Sequence, residues 1–313
     1  MNILLIYPKF PCEFCNITAF FGRTPFTKTP QQVVAELGAI YQAGWHGNIF
    51  FVDDNFIGNK RTLKEHLLPA LIKWRKDKKG CVFFTEASIN LADDPELMDM
   101  MAEAGFDSVL IGIETPDVNS LTECCKTHNK NRDLLQDVKT IHRSGLQVMG
   151  GFIVGFDSDP PSIFQRQIDF IQQSGIVTAM VGMLLAPPGT RLFERLAWDH
   201  RVYDEFSGDN VDGRTNIIPA MGLDRLIDGY RDIMQYIYAP RTYYQRVRRI
   251  LKELKKPAAA FFGSNPVHLR LSLPKDMRAA YSLNKGSKNL MQINGIYFEQ
   301  KRIDEADRLM KRR

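Results

Sequence analysis

Between Asn2 and Trp198 one pattern repeats six times. A short run of branched and aromatic residues is followed by a longer amphipathic stretch, and all but the last of these stretches stop at a glycine. The strand-like runs are Asn2–Tyr7, Asn48–Asp53, Cys81–Ala87, Asp107–Glu114, Leu146–Val154 and Ile176–Leu185. The helix-like stretches begin near Thr29-Pro30, Arg61, Asp94-Pro95, Asn131, Pro161 and Thr190, and Gly44, Gly80, Gly105, Gly145 and Gly175 close the first five. Thr followed by Pro suits a helix start, because the hydroxyl caps free amides and proline has no amide to leave unpaired. Strands alternating with helices of this length imply parallel strands joined by crossovers. An open doubly wound sheet and a complete or partial barrel both fit. The even unit length, with no evident point of reversal, favours the barrel.

Other classes drop out quickly. The longest apolar runs are strand length, far short of the ~20 residues of a membrane helix. Five cysteines in 313 residues are too few for a disulfide scaffold. The start MNILLIYPKF has no basic region before a cleavable apolar core. A cytoplasmic, reducing setting is expected. A net charge of +5 implies no nucleic-acid partner, but it is unevenly distributed. Residues 241–313 hold 18 Lys/Arg against 6 Asp/Glu, and residues 1–240 hold 23 against 30. Tyr243, Tyr244, Val247, Ile250, Leu251 and Leu254 recur at helical spacing, so this basic region should begin as an amphipathic helix packed on its neighbour. Its charge is either a solvated face or a surface that meets something anionic, such as a membrane leaflet.

In a parallel barrel the reactive groups gather at the C-terminal ends of the strands. Here those ends carry Asp53-Asp54-Asn55, then Glu86 with Ser88 and Asn90, then Glu114-Thr115-Pro116-Asp117, then Gly150 to Asp157, then Pro187-Pro188-Gly189-Thr190. Each alone could be a turn. Together they suggest a site for a cationic or polyhydroxy ligand, with Glu86 and Glu114 aimed into the mouth. After the first run comes Cys12-Glu13-Phe14-Cys15. Such a pair can be a redox couple, half of a zinc site, or part of an iron–sulfur site, and the spacing alone does not choose.

These segments in order resemble the radical S-adenosylmethionine superfamily, in the branch that carries an N-terminal cobalamin-binding domain and a helical C-terminal extension. The resemblance rests on Cys12–Cys15, Phe51–Phe56, Thr85–Asn90, Ile111–Asp117 and Gly150–Asp157, and covers about residues 12–255. It implies a partial (β/α)6 TIM-like barrel over 12–205 and a mostly helical basic extension over 206–313. It also implies a 4Fe–4S cluster, S-adenosylmethionine, an external electron donor and a small-molecule or lipid substrate. By resemblance Cys12 and Cys15 are cluster ligands, Phe14 lies beside the adenine, and Asp53 and Asp54 hold the methionine amino group. Glu86 and Ser88 are placed for ribose or methionine polar atoms, Glu114 and Arg132 for further cofactor or substrate contacts. Gly151 to Gly155 would run backbone along the adenine.

The family motif is Cys-x3-Cys-x2-Cys, and the place of its first cysteine holds Pro8. Residues 1–11 look instead like the opening strand of the cobalamin-binding domain. The chain therefore reads as internally deleted, with an incomplete ligand set, and cobalamin is doubtful in this chain. Two expectations follow: a radical enzyme whose full-length relatives transfer methyl groups to unactivated carbon, or an impaired remnant of one. A zinc- or phosphate-binding barrel is the remaining alternative.

Overall fold

A computed structural model describes residues 12–17, 27–209 and 211–254, and the backbone of 290–293 and 296–299. The expected strand Asn2–Tyr7, Pro8 and most of the basic C-terminal region lie outside the described residues.

Helix α1 (Pro30–Gln42) opens as its sequence suggests. Thr29 Oγ1 accepts from the Gln32 amide, and Gln32 Oε1 accepts from the Thr29 amide. Then follow β1 (Asn48–Phe51), α2 (Leu68–Arg75), β2 (Val82–Glu86), α3 (Pro95–Ala104) and β3 (Phe106–Glu114). A short α4 (Val118–Glu123) precedes α5 (Leu134–Arg143), β4 (Gln147–Val154), α6 (Ile163–Ser174), β5 (Ala179–Met183) and α7 (Arg191–Trp198). The extension supplies α8 (Leu223–Tyr238) and α9 (Pro240–Glu253), then an antiparallel pair, β6 (Leu290–Ile293) and β7 (Ile296–Glu299). The pair lies within the extension expected to be mostly helical. Its second run, Ile-Tyr-Phe-Glu, is β-branched and aromatic, and Asn294-Gly295 between the runs in sequence is a strong hairpin signal.

One expected helix is not continuous. Over Arg61–Lys79 the structure has an α-turn, a π-turn at Leu63–Leu67, and only then α2. Pro69 sits in the first turn of α2. A proline inside an α-helix loses an amide and strikes the carbonyl four residues back, and the wider π-turn moves that carbonyl away.

The five strands β1 to β5 are all parallel and neighbour one another in sequence order. A doubly wound sheet would reverse direction. The sheet is a half-barrel with helices around it, as the barrel reading expected. Alternation along the strands separates two faces. Phe51, Phe83, Thr85, Val109, Ile111, Ile113, Val148, Phe152 and Val154 are buried toward the helices. Phe50, Phe84, Glu86, Leu110, Gly112, Met149, Gly151 and Ile153 on the other face are only half-buried. The concave face is therefore partly open, and it is the face the strand-end groups share.

The extension closes the helical layer. Leu226, Ile233 and Ile237 of α8 enter the main core. Gly229 allows α8 close to α6, since a Cβ there would fall 2.4 Å from the Phe164 ring. On α9 the expected stripe packs together: Tyr244, Val247, Ile250 and Leu251 bury against Val177, with Tyr243 and Leu254 at the margin. The fully buried Arg246 donates to Gln172 Oε1 at 2.7 Å and to the carbonyl of Val177, under the rings of Tyr238 and Tyr243. No helix among the described residues is long and apolar enough to cross a membrane.

Candidate functional site

The Cys12–Cys15 turn lies at the C-terminal ends of the strands. It closes on itself through the Cys15 amide and the Cys12 carbonyl at 3.2 Å. It is tied to the barrel by the Glu13 amide on the Cys124 carbonyl and the Leu192 amide on the Glu13 carbonyl, each 3.0 Å. Phe14 packs in a small apolar cluster with Cys124, Leu184, Leu192 and Leu196, its ring 6.2 Å from that of Phe156. Both turn cysteines are half-buried free thiols. Burial pushes Cys12 up to about 11, against the opposing pull of Lys126, and also raises Cys15. Left alone they would be thiols at neutral pH, and it takes a metal's positive charge to make them thiolates.

Beside the turn is a group of three carboxylates, Asp53, Asp54 and Glu86, with no salt bridge among the described residues. Asp53 is buried just beyond β1, and neither of its oxygens receives a hydrogen bond among the described residues. Burial, then Asp54 and Glu86, push its pKa up to about 8. Glu86, the last residue of β2, rises to about 7 through burial and then Asp54. Burial also raises Asp54, whose charge is felt at Cys15. A buried carboxylate with no hydrogen-bond partner, as Asp53 is among the described residues, is costly, and two further acids lie beside it. The arrangement suits a ligand that arrives with a positive charge.

Glu114 ends β3 in a left-handed conformation, φ 64°, where the β3–β4 register slips after Gly112. The carbonyls freed by that slip are taken by Asn129, whose Nδ2 donates to Gly112 at 3.0 Å and to Ile113 at 3.1 Å. Glu114 itself accepts from Lys126 Nζ at 2.6 Å. Burial works against the Lys126 ammonium, but Glu114 outweighs it and holds the lysine protonated well above its ordinary range. Gly112 makes room for this pair: a Cβ there would lie 2.3 Å from Glu114 Oε1. Across the register, Gly112 pairs with Gly151. A Cβ at Gly151 would meet nothing nearer than 3.7 Å, so the concave floor there is bare backbone.

The remaining expected site residues sit further out. Ser88 knits two strand ends, its amide on Asn55 Oδ1 at 3.1 Å and its hydroxyl on Asn90 Oδ1 at 2.6 Å. Arg132 spends its guanidinium on Asp93, at 2.6 and 2.8 Å, and on Asp137 at 2.8 Å. Gly155 turns at φ 110° after β4, donates to Asp159 Oδ2 at 2.8 Å and faces Leu226 of α8. Sequence reasoning missed Lys126 and Asn129, whose partners lie 12 to 17 residues back along the chain. It also passed over Glu13, although a carboxylate between two cysteines was a visible signal.

The fold is a parallel α/β half-barrel with two thiols and a cluster of carboxylates, one of them unpartnered among the described residues, at its strand ends. The chain belongs to the Radical SAM superfamily, which residues 9–171 match. Residues 190–280 match a domain of unknown function, DUF4070. Among curated proteins the chain is 42% identical over 266 residues to an uncharacterized methyltransferase of Synechocystis, covering 83% of this chain and 49% of that one. It is 37% identical to the hopanoid C-2 methylase of Rhodopseudomonas palustris, covering 76% of this chain and 44% of that one. The chain thus spans less than half the length of either relative. In fold it resembles TsrM of Kitasatospora setae, a radical S-adenosylmethionine methyltransferase solved with cobalamin and a [4Fe-4S] cluster. The TM-score is 0.55 at 15% identity, over 85% of this chain and 55% of that one.

Proposed function

We propose that this chain binds a 4Fe–4S cluster through Cys12 and Cys15 and S-adenosylmethionine over its concave face, and that it serves a methyl-transfer reaction of the kind its relatives are named for. The observation that carries this is the orphaned Asp53 carboxylate, which with Asp54 and Glu86 offers a cation seat beside two half-buried thiols. Cluster and S-adenosylmethionine together supply a one-electron reductive cleavage of the C–S bond that yields a 5′-deoxyadenosyl radical.

The chain's own residues bind and orient. Asp53 and Asp54 take the methionine amino group, and that positive charge draws them and Glu86 into the ionised state. Ser88 holds Asn55 and Asn90, and so the rim of that seat. Glu114, locked by Lys126, faces the same opening as a fixed acceptor. Phe14 lies beside the adenine, and Gly151 gives the nucleoside a stretch of floor free of side chains. Arg132 and Gly155 hold neighbouring turns through Asp93, Asp137 and Asp159, at the margin of the proposed cofactor site. An external electron donor is required. A small-molecule or lipid substrate is proposed, in keeping with the 37% identical hopanoid methylase, with peripheral contact to a membrane through the basic C-terminal region. No residue here is assigned to cobalamin.

Anaerobic reconstitution with iron and sulfide, followed by reduction with S-adenosylmethionine present, tests the reading. About four irons per chain and release of 5′-deoxyadenosine are expected. A second reading rests on Pro8, which has no side-chain donor where the family motif has cysteine: uptake of about two irons or fewer with no cleavage would favour an impaired remnant. Stoichiometric zinc without iron would point to a zinc-binding barrel instead. In addition, Gly151→Ala should weaken S-adenosylmethionine binding ~10-fold by placing a methyl on the floor. Its melting temperature should stay close to that of the parent, since a Cβ there meets only ordinary contacts. Titration calorimetry and thermal melts check both parts.

A further inference from the structure

Three carboxylates from separate segments, Glu13, Glu123 and Asp157, converge on Arg195 of α7. Its Nε and Nη2 grip the two oxygens of Glu13 at 2.7 and 3.1 Å. Its Nη1 donates to Asp157 Oδ2 at 3.0 Å, and Nη2 also reaches Glu123 Oε1 at 3.5 Å. Arg201 holds Asp157 from the other side, with Nη1 2.9 Å from Oδ2 and Nη2 2.5 Å from Oδ1. Glu123 in turn accepts the amides of Asp157 and Ser158 at 3.0 and 2.7 Å. Glu13 and Glu123 are each 13% exposed, while Arg195 is 35% exposed.

Glu13 is one of the two residues between the thiols. Among the described residues, the polar ties from the Cys12–Cys15 turn to the rest of the barrel are the two backbone bonds at Glu13 and this carboxylate fork. A fork accepted by both oxygens fixes direction as well as distance, which a single amide bond does not.

We propose that Arg195 is a positioning residue for the Cys12–Cys15 turn: its grip on Glu13 fixes both thiols relative to the strand ends, and so sets whether the turn can hold a metal cluster. This deepens the ligand assignment above and rests on it for its functional meaning. Arg195 touches neither thiol and acts only through Glu13. Removing Glu13 is the cleaner cut, because Arg195 keeps Asp157 and Glu123, whereas removing Arg195 leaves three carboxylates facing one another.

The first test needs no cluster. In the metal-free full-length chain, alkylation of each cysteine by iodoacetamide is followed by peptide mass spectrometry. E13A should speed modification of Cys12 and Cys15 about fivefold or more, E13Q should fall between E13A and the parent, and R195K should lose less than R195A. Cys81, fully buried in the core, is the internal control and should not change. In a double-mutant cycle, E13A/R195A should expose the thiols little more than the worse single variant. The second test repeats reconstitution on the same variants and reads iron and the visible absorption of the cluster: E13A should retain much less than E13Q at equal melting temperature. Unchanged rates at Cys12 and Cys15 in E13A, or a parallel rise at Cys81, would overturn the positioning role, as would full cluster content in E13A. Absence of any cluster in the unsubstituted chain would instead overturn the ligand assignment, and the alkylation result would stand by itself.

Discussion

Alanine at Cys12 or at Cys15 is expected to bring the iron of the reconstituted chain from about four per molecule to well below one and to abolish cleavage of S-adenosylmethionine. The size of the effect follows from the environment. Both thiols are half-buried, and burial raises their pKa, so neither becomes a thiolate without a metal. Thiolate formation and metal binding are one event, and a turn that has lost one of its two donors gains too little to displace the other's proton. Cys124 cannot stand in: it is buried, its thiol is pushed up to about 12 and directed at the Leu121 carbonyl at 3.7 Å. The fold should survive, since the main core holds neither turn cysteine. Iron and sulfide analysis with circular dichroism on the same samples checks both halves. Cluster content near that of the parent in either variant would remove the thiols from the site.

The second large effect is expected at Asp53, and it has two opposite signs. Asp53→Asn should weaken S-adenosylmethionine binding roughly 10- to 100-fold, the loss of one charge-assisted bond worth about 1.5–3 kcal/mol. It should also stabilise the ligand-free chain at alkaline pH. The native state raises the Asp53 pKa to about 8, so folded protein holds this proton more tightly than unfolded protein does. Stability from this group is complete below its unfolded pKa near 4 and is lost as pH rises through about 8. The parent should therefore melt several degrees lower at about pH 8.5 than at about pH 6, and Asp53→Asn should flatten that slope. Glu86, raised to about 7, adds to the slope in the same direction. A ligand that supplies the missing cation reverses the preference, so S-adenosylmethionine should stabilise the parent most above pH 8. Scanning calorimetry across pH, with and without ligand, reads both signs. The half-buried His128 and the buried His142, whose pKa values are lowered to about 4 and about 3 by burial, act in the opposite direction, so the test is the difference. Asp53→Asn with the same change between about pH 6 and about pH 8.5 as the parent would overturn the raised pKa of Asp53.

What the sequence disclosed was governed by local rules. Thr29 and Pro30 announce the first helix, because capping involves residues three apart. Gly105 and Gly175 mark helix ends because both sit at positive φ, 101° and 79°. The stripe from Tyr243 to Leu254 gave α9 and its buried face. Asp53, Glu86 and Glu114 were legible as strand-end acids since a parallel barrel puts every such end on one rim. Features set by tertiary contact were not legible. Nothing near Arg132 in sequence tells that its guanidinium is used up by Asp93, 39 residues earlier. Nothing around Pro69 says that the chain answers it with a π-turn rather than a break. The left-handed Glu114 follows from a slipped register that only the pairing of β3 with β4 defines.

The connection from Thr115 to Asn129 has a consequence for how this protein can change. Surface loops ordinarily absorb inserted or deleted residues with little harm. Here Glu123 reaches Asp157 and Arg195, the Cys124 carbonyl receives Glu13, Lys126 meets Glu114, and Asn129 returns to Gly112 and Ile113. Four attachments in seven consecutive residues work like the teeth of a key. Substitutions along it can be accommodated one at a time, but a shift of a single residue would misalign every attachment beyond it, so the length of this segment is held more tightly than its composition.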